Sequence, residues 1–143
     1  MELIKEYMDY VIFGVLGLMS ILSLTFAFER LIFYKSYHIE DYTNENELEN
    51  DLTKNLTALS IIGSNAPYIG LLGTVVGVMV TFYDMGASKG ALDTDSILIG
   101  LSLALKATAA GLLVAIPTLM IYTMCLRQVD VGIAKFKASK DAP

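Results

Sequence analysis

The sequence predicts an all-α integral membrane protein with three transmembrane helices, its N-terminus outside and its C-terminus in the cytoplasm. Three observations lead there. Of the 143 residues, 55% are hydrophobic and 17% charged, with a mean hydropathy of +0.57, whereas a water-soluble domain carries about a quarter charged residues. The apolar residues gather in three blocks, each about as long as a bilayer core is thick. The basic residues that flank those blocks are unevenly shared. The whole chain, 1–143, reads as a single membrane domain.

The first block is uncharged over 10–28. At about 1.5 Å rise per residue its nineteen residues span nearly the ~30 Å hydrocarbon core. A secretory signal is the rival reading, but Glu2, Lys5, Glu6 and Asp9 ahead of the block are net acidic where a signal is basic. The block is therefore expected to be retained.

The second block has no charge from Asn55 through Tyr83 and is interrupted by Gly63-Ser64-Asn65-Ala66-Pro67. Proline suits the first turn of a helix and asparagine its cap, which predicts a span over about 66–84 that starts after Asn65. The third block, 96–126, is broken only by Lys106 and contains Pro117, which a membrane helix tolerates as a kink. With the N-terminus outside, the inner flanks hold Arg30, Lys35, Lys54, Arg127, Lys135, Lys137 and Lys140, and the outer flanks Lys5 and Lys89. Seven against two fixes the expected orientation by the positive-inside rule.

Between spans one and two, Glu40, Asp41, Glu45, Glu47, Glu49 and Asp51 form a charge run that reads as a solvated helix face. Asn44 with Glu47 is a capping-box spacing, and Leu48, Leu52, Leu56 and Leu59 recur at helical intervals. An acidic helix over about 45–62 follows, with an apolar stripe that needs a partner helix. Val129, Ile133 and Phe136 continue the third helix beyond the membrane among lysines. The second and third helices thus extend into the cytoplasm, and the last few residues are expected to be disordered.

Composition excludes several classes of function. A net charge of −5 and a pI near 4.7 argue against nucleic-acid binding. A single cysteine, Cys125, permits no internal disulfide, and His38 as the only histidine leaves no metal-ligand cluster. No cofactor is expected. Enzyme chemistry needs converging titratable groups, and within the spans the chain offers only Lys106. Solute transporters show internal repeats with broken helices, which three dissimilar spans do not supply.

Spans two and three carry the informative residues. Gly70, Thr74, Gly77 and Thr81 fall on one face of span two, and Ala104, Thr108, Gly111, Ala115, Thr118 and Tyr122 on one face of span three. Small residues allow close helix approach in lipid, so both faces, with Gly73, read as packing surfaces. Such surface exceeds what one copy satisfies by itself, which predicts a homo-oligomeric ring with span one toward lipid. The hydroxyls of Thr74 and Thr108 are in addition candidates for a narrow polar pathway.

The run Ala66-Pro67-Tyr68-Ile69-Gly70-Leu71-Leu72-Gly73-Thr74-Val75-Val76-Gly77 and the run Ala107-Thr108-Ala109-Ala110-Gly111-Leu112-Leu113-Val114-Ala115-Ile116-Pro117 resemble the paired signatures of the ExbB/TolQ/MotA family of proton-driven motor subunits. Glu29-Arg30 resembles the family's inner-interface pair. The three-span topology is that of the ExbB and TolQ branches. The resemblance implies a subunit of the bacterial inner membrane, pentameric around two single-span helices of an ExbD-like partner, in which proton flow energises a TonB-like protein and uptake across the outer membrane. A TolQ-like role in envelope integrity and a passive membrane scaffold are the alternatives. Two departures stand out: Leu103 occupies the position where relatives carry a glutamate, and the segment between spans one and two is short. Lys106, about 60° around the helix from Leu103, is expected to take over electrostatic work toward the partner's acidic group, because no carboxylate of this chain is expected at its depth.

Overall fold

The computed structural model describes residues 2–141 and is built entirely from helices. Helix α1 covers Glu2–Ser36, and a single 3-10 turn at Ile39–Asp41 leads into α2, Glu45–Leu52. Helix α3 covers Leu56–Ala87 and α4 covers Thr94–Asp141. Three of these, α1, α3 and α4, are long and apolar enough to cross a membrane. At 32 and 48 residues, α3 and α4 are about 48 and 72 Å long and overrun a ~30 Å core. Helix α4 is helical to Asp141, and the disorder expected of the last residues beyond it lies outside the described residues.

Helices α3 and α4 form a tight antiparallel pair, α1 lies against both, and α2 packs on α4. Ile12 and Leu16 of α1 pack on Ala66 of α3 and on Ala107 and Ala115 of α4 in a small apolar core. At the α2 end, Leu48, Leu52, Leu56 and Leu59 close on Cys125, Val129 and Phe136, ringed by Tyr34 and Tyr37. The partner that the leucine stripe required is therefore α4 of the same chain. Leu18, Leu71, Leu113 and Ile116 lie on the outside, where lipid tails rather than water are the natural surroundings.

Two boundaries differ from the sequence expectation. The acidic helix stops at Leu52, and Thr53–Asn55 turn the chain before α3 begins. Asn55 adopts φ 68°, the left-handed conformation that ends a helix. The second span does not start at Pro67, since α3 is continuous from Leu56 and carries Pro67 inside it. Proline removes only the donor that would serve the Gly63 carbonyl, a loss a membrane helix tolerates. Asn65 does not cap. Its Nδ2 donates back to the Ile61 carbonyl at 2.8 Å. The cap expected at Asn44 is present, with its side chain accepting from the Asn46 N–H at 2.8 Å. At the other end of the bundle Asp93 accepts from the Ser96 N–H at 2.9 Å and caps α4.

Candidate functional site

The two small-residue faces meet each other. A Cβ added at Gly70 would lie 2.6 Å from the Ala107 carbonyl oxygen, and one at Gly111 would lie 2.6 Å from the Ala66 carbonyl oxygen. At Gly77 the obstacle is Ala104, at 2.6 Å, and at Gly73 it is Ala107, with Ile12 of α1 at 3.1 Å. Backbone meets backbone at this crossing, which only residues lacking a side chain permit. Ala104, Gly111 and Ala115 are buried along the seam, whereas Pro117 is on the outside of α4. The faces expected to hold a ring together are thus spent inside one chain, because small residues on adjacent antiparallel helices satisfy one another first. Any assembly must use the remaining surfaces.

Thr74 and Thr108 lie in the middle of this crossing and their hydroxyls bond to each other. Thr74 Oγ1 also reaches the Ala104 carbonyl at 3.0 Å. Each hydroxyl has one hydrogen. One is shared within the pair and the other is given to backbone, while acceptor lone pairs stay open on two half-buried side chains. The pair is a polar point in an otherwise apolar crossing, able to accept from a donor or to release a hydrogen by surrendering a carbonyl.

Lys106 is not part of that point. Two residues from Thr108 is about 200° of helix rotation, and the lysine turns toward α1, its Nζ 5.9 Å from the centre of the Phe13 ring. It opens into a groove that also receives Glu6, Asp9 and Asp84. Sequence reasoning weighed only Glu29 and Asp84 as carboxylates near the level of Lys106; among the described residues none forms an ion pair with it, but Glu6, Asp9 and Asp84 line the same groove.

Glu29-Arg30 forms a third centre, at the α2 end. Arg30 is 1% exposed. Its Nε and Nη2 hold the Glu29 carboxylate at 2.5 and 2.6 Å, and Nη1 donates to the Asp51 and Leu52 carbonyls at 2.6 and 3.2 Å. A cation at the negative end of α2 is favoured. The guanidinium lies 4.5 Å from the Phe33 ring centre, Tyr34 donates to the Leu52 carbonyl at 2.7 Å, and Asn55 Nδ2 donates to Glu29 at 3.2 Å. The pair thus locks α1 to the turn between α2 and α3. Sequence reasoning missed the Ser23–Thr118 hydrogen bond, 2.7 Å and buried, which ties α1 to α4. Its signal was a hydroxyl residue in an apolar block, one of three there with Ser20 and Thr25.

A three-helix membrane bundle with a glycine-lined crossing and a threonine pair at its centre defines the class. Residues 29–138 match the model of the MotA/TolQ/ExbB proton channel family, and the chain belongs to that family. It is 55% identical over 140 residues to the biopolymer transport protein ExbB of Helicobacter pylori, covering 98% of this chain and 96% of that one. It is 47% identical over 138 residues to the biopolymer transport protein ExbB of Aquifex aeolicus, covering 96% and 93%. A putative biopolymer transport protein, ExbB-like 2, of Helicobacter pylori is 48% identical over 132 residues, covering 92% and 87%.

Proposed function

We propose that the chain is the ExbB-like, inner-membrane subunit of a motor driven by the proton-motive force, and that it energises TonB-dependent uptake across the outer membrane. In this reading it is a channel subunit rather than an enzyme. Its N-terminus and the 88–93 hairpin face outward, and the α2 end faces the cytoplasm, as the seven-to-two distribution of basic residues supports. Copies assemble into a ring, pentameric by family resemblance, around single-span helices of an ExbD-like subunit. Identity to relatives named ExbB favours that branch over TolQ.

The observation that carries the proposal is the threonine pair. Hydroxyls between two membrane-spanning helices are placed where a partner's carboxylate or a short chain of water requires a hydrogen-bond partner. Thr74 and Thr108 border the partner cavity in this reading, while Gly70, Gly77 and Gly111 hold the two hydroxyls at fixed spacing. Replacing both threonines by valine keeps shape and removes both hydroxyls. Loss of two such contacts in the proton-transfer step corresponds to about a hundredfold lower rate at ~1.4 kcal/mol each. Uptake driven by the reconstituted complex is the measurement, and wild-type uptake in the double variant would reduce the pair to packing.

A further inference from the structure

The groove around Lys106 is separate from the threonine pair and its charges are unusual for their place. It has a volume of about 800 Å³ and is lined by Lys5, Glu6, Asp9 and Phe13 of α1, Asp84 of α3 and Lys106 of α4. Two ammonium groups and three carboxylates meet there, formally −1 in sum. The stretch of α1 from Lys5 to Phe13 is about 12 Å long. Its outer part, from Lys5 to Asp9, is charged, whereas Phe13 and, across the groove, Lys106 of α4 lie within the apolar blocks. The groove therefore straddles the level at which apolar chain gives way to headgroup.

We propose that this groove binds the headgroup of a zwitterionic phospholipid carrying a primary amine, with its phosphate on Lys106 and Lys5 and its ammonium on Asp9, Glu6 and Asp84. The cations and the carboxylates each match one half of a phosphoethanolamine, and the acyl chains leave along the exposed apolar faces of α1 and α4. Charge-assisted hydrogen bonds supply the recognition. The excess carboxylate repels an anionic headgroup, so the site discriminates by charge and not by hydrophobic burial. The proposal rests on the membrane-spanning reading and not on the motor role.

The test is native mass spectrometry of the full-length protein in its natural complex, delipidated and then titrated with phosphatidylethanolamine, phosphatidylglycerol or phosphatidylcholine. The expected result is preferential retention of phosphatidylethanolamine, one per subunit. Lys106→Met should lower that retention about tenfold, the effect of losing one charge-assisted contact. Asp9→Asn combined with Asp84→Asn should move the preference toward phosphatidylglycerol, and Lys89→Met, outside the groove, should change nothing. Equal retention of phosphatidylethanolamine and phosphatidylglycerol by the unaltered protein overturns the proposal. So does equal retention of phosphatidylcholine, which has no N–H to donate, or undiminished binding in Lys106→Met. Should Lys106→Met fail to assemble, the Asp9/Asp84 variant decides alone, and an unchanged lipid preference there overturns the proposal.

Discussion

Arg30 shows what a single residue does when four of its donor directions are used at once. Its charge is shared with Glu29, but its position is set by two carbonyls that belong to α2, 21 and 22 residues further along. Lysine in its place retains the charge and loses the planar fork. Arg30→Lys is expected to cost about 2 kcal/mol or more in thermal unfolding of the purified complex. Glu29→Gln, at a carboxylate 40% exposed, should cost under about 1 kcal/mol. Asp93 gives a prediction in pH. Hydrogen bonds from the Ser96 side chain and backbone hold its carboxyl below the ordinary carboxylate range. A depressed folded pKa means that the cap contributes above the unfolded value and is lost as pH falls through the folded one. Amide exchange at Ser96, corrected for its intrinsic rate, should therefore lose protection below about pH 4, and Asp93→Asn should remove that pH dependence. At this scale the sequence identified Glu29-Arg30 as a pair. Its task was not legible, because the accepting carbonyls carry no side-chain signature.

Among the elements, the α3–α4 crossing makes the sharpest demand on its residues. Gly70→Ala drives a methyl into the Ala107 carbonyl and the Gly111 Cα, and neither backbone can turn aside as a side chain would. Overpacking of this kind is expected to cost about 1–3 kcal/mol or more. At Gly63 the obstacle is the end of Leu119, and at Gly86 nothing lies within 4 Å. The expected order of destabilisation, measured by thermal unfolding in detergent, is Gly70→Ala, then Gly63→Ala, with Gly86→Ala near neutral. Both faces of this crossing were legible as runs of small residues at helical spacing. Their partner was not, since the same spacing serves contact within a chain and contact between chains. The end of α2 at Leu52 escaped the reading for a related reason. The leucine stripe continues in register through Leu56 and Leu59, and the αL turn at Asn55 re-aims the chain without breaking the stripe.

For the molecule as a whole, the three spans were legible because a fixed hydrocarbon thickness translates directly into a count of apolar residues. Lys106 was legible as an anomaly, but not its surroundings, which three helices assemble from residues 5–9, 84 and 106. The hairpin joining α3 and α4 is short and each helix runs on without a break, so the polar point at Thr74 and Thr108 is continuous with the far end of the chain through a single rod. From Thr108 to Asp141 that rod measures about 50 Å. It is a lever arm. A tilt of about 5° at the threonine pair sweeps the distal end through about 4 Å, roughly three quarters of the pitch of one helical turn. A rearrangement of the hydrogen bonds at Thr74 and Thr108 is thus mechanically connected to a displacement large enough to be felt by whatever touches the final turns of α4.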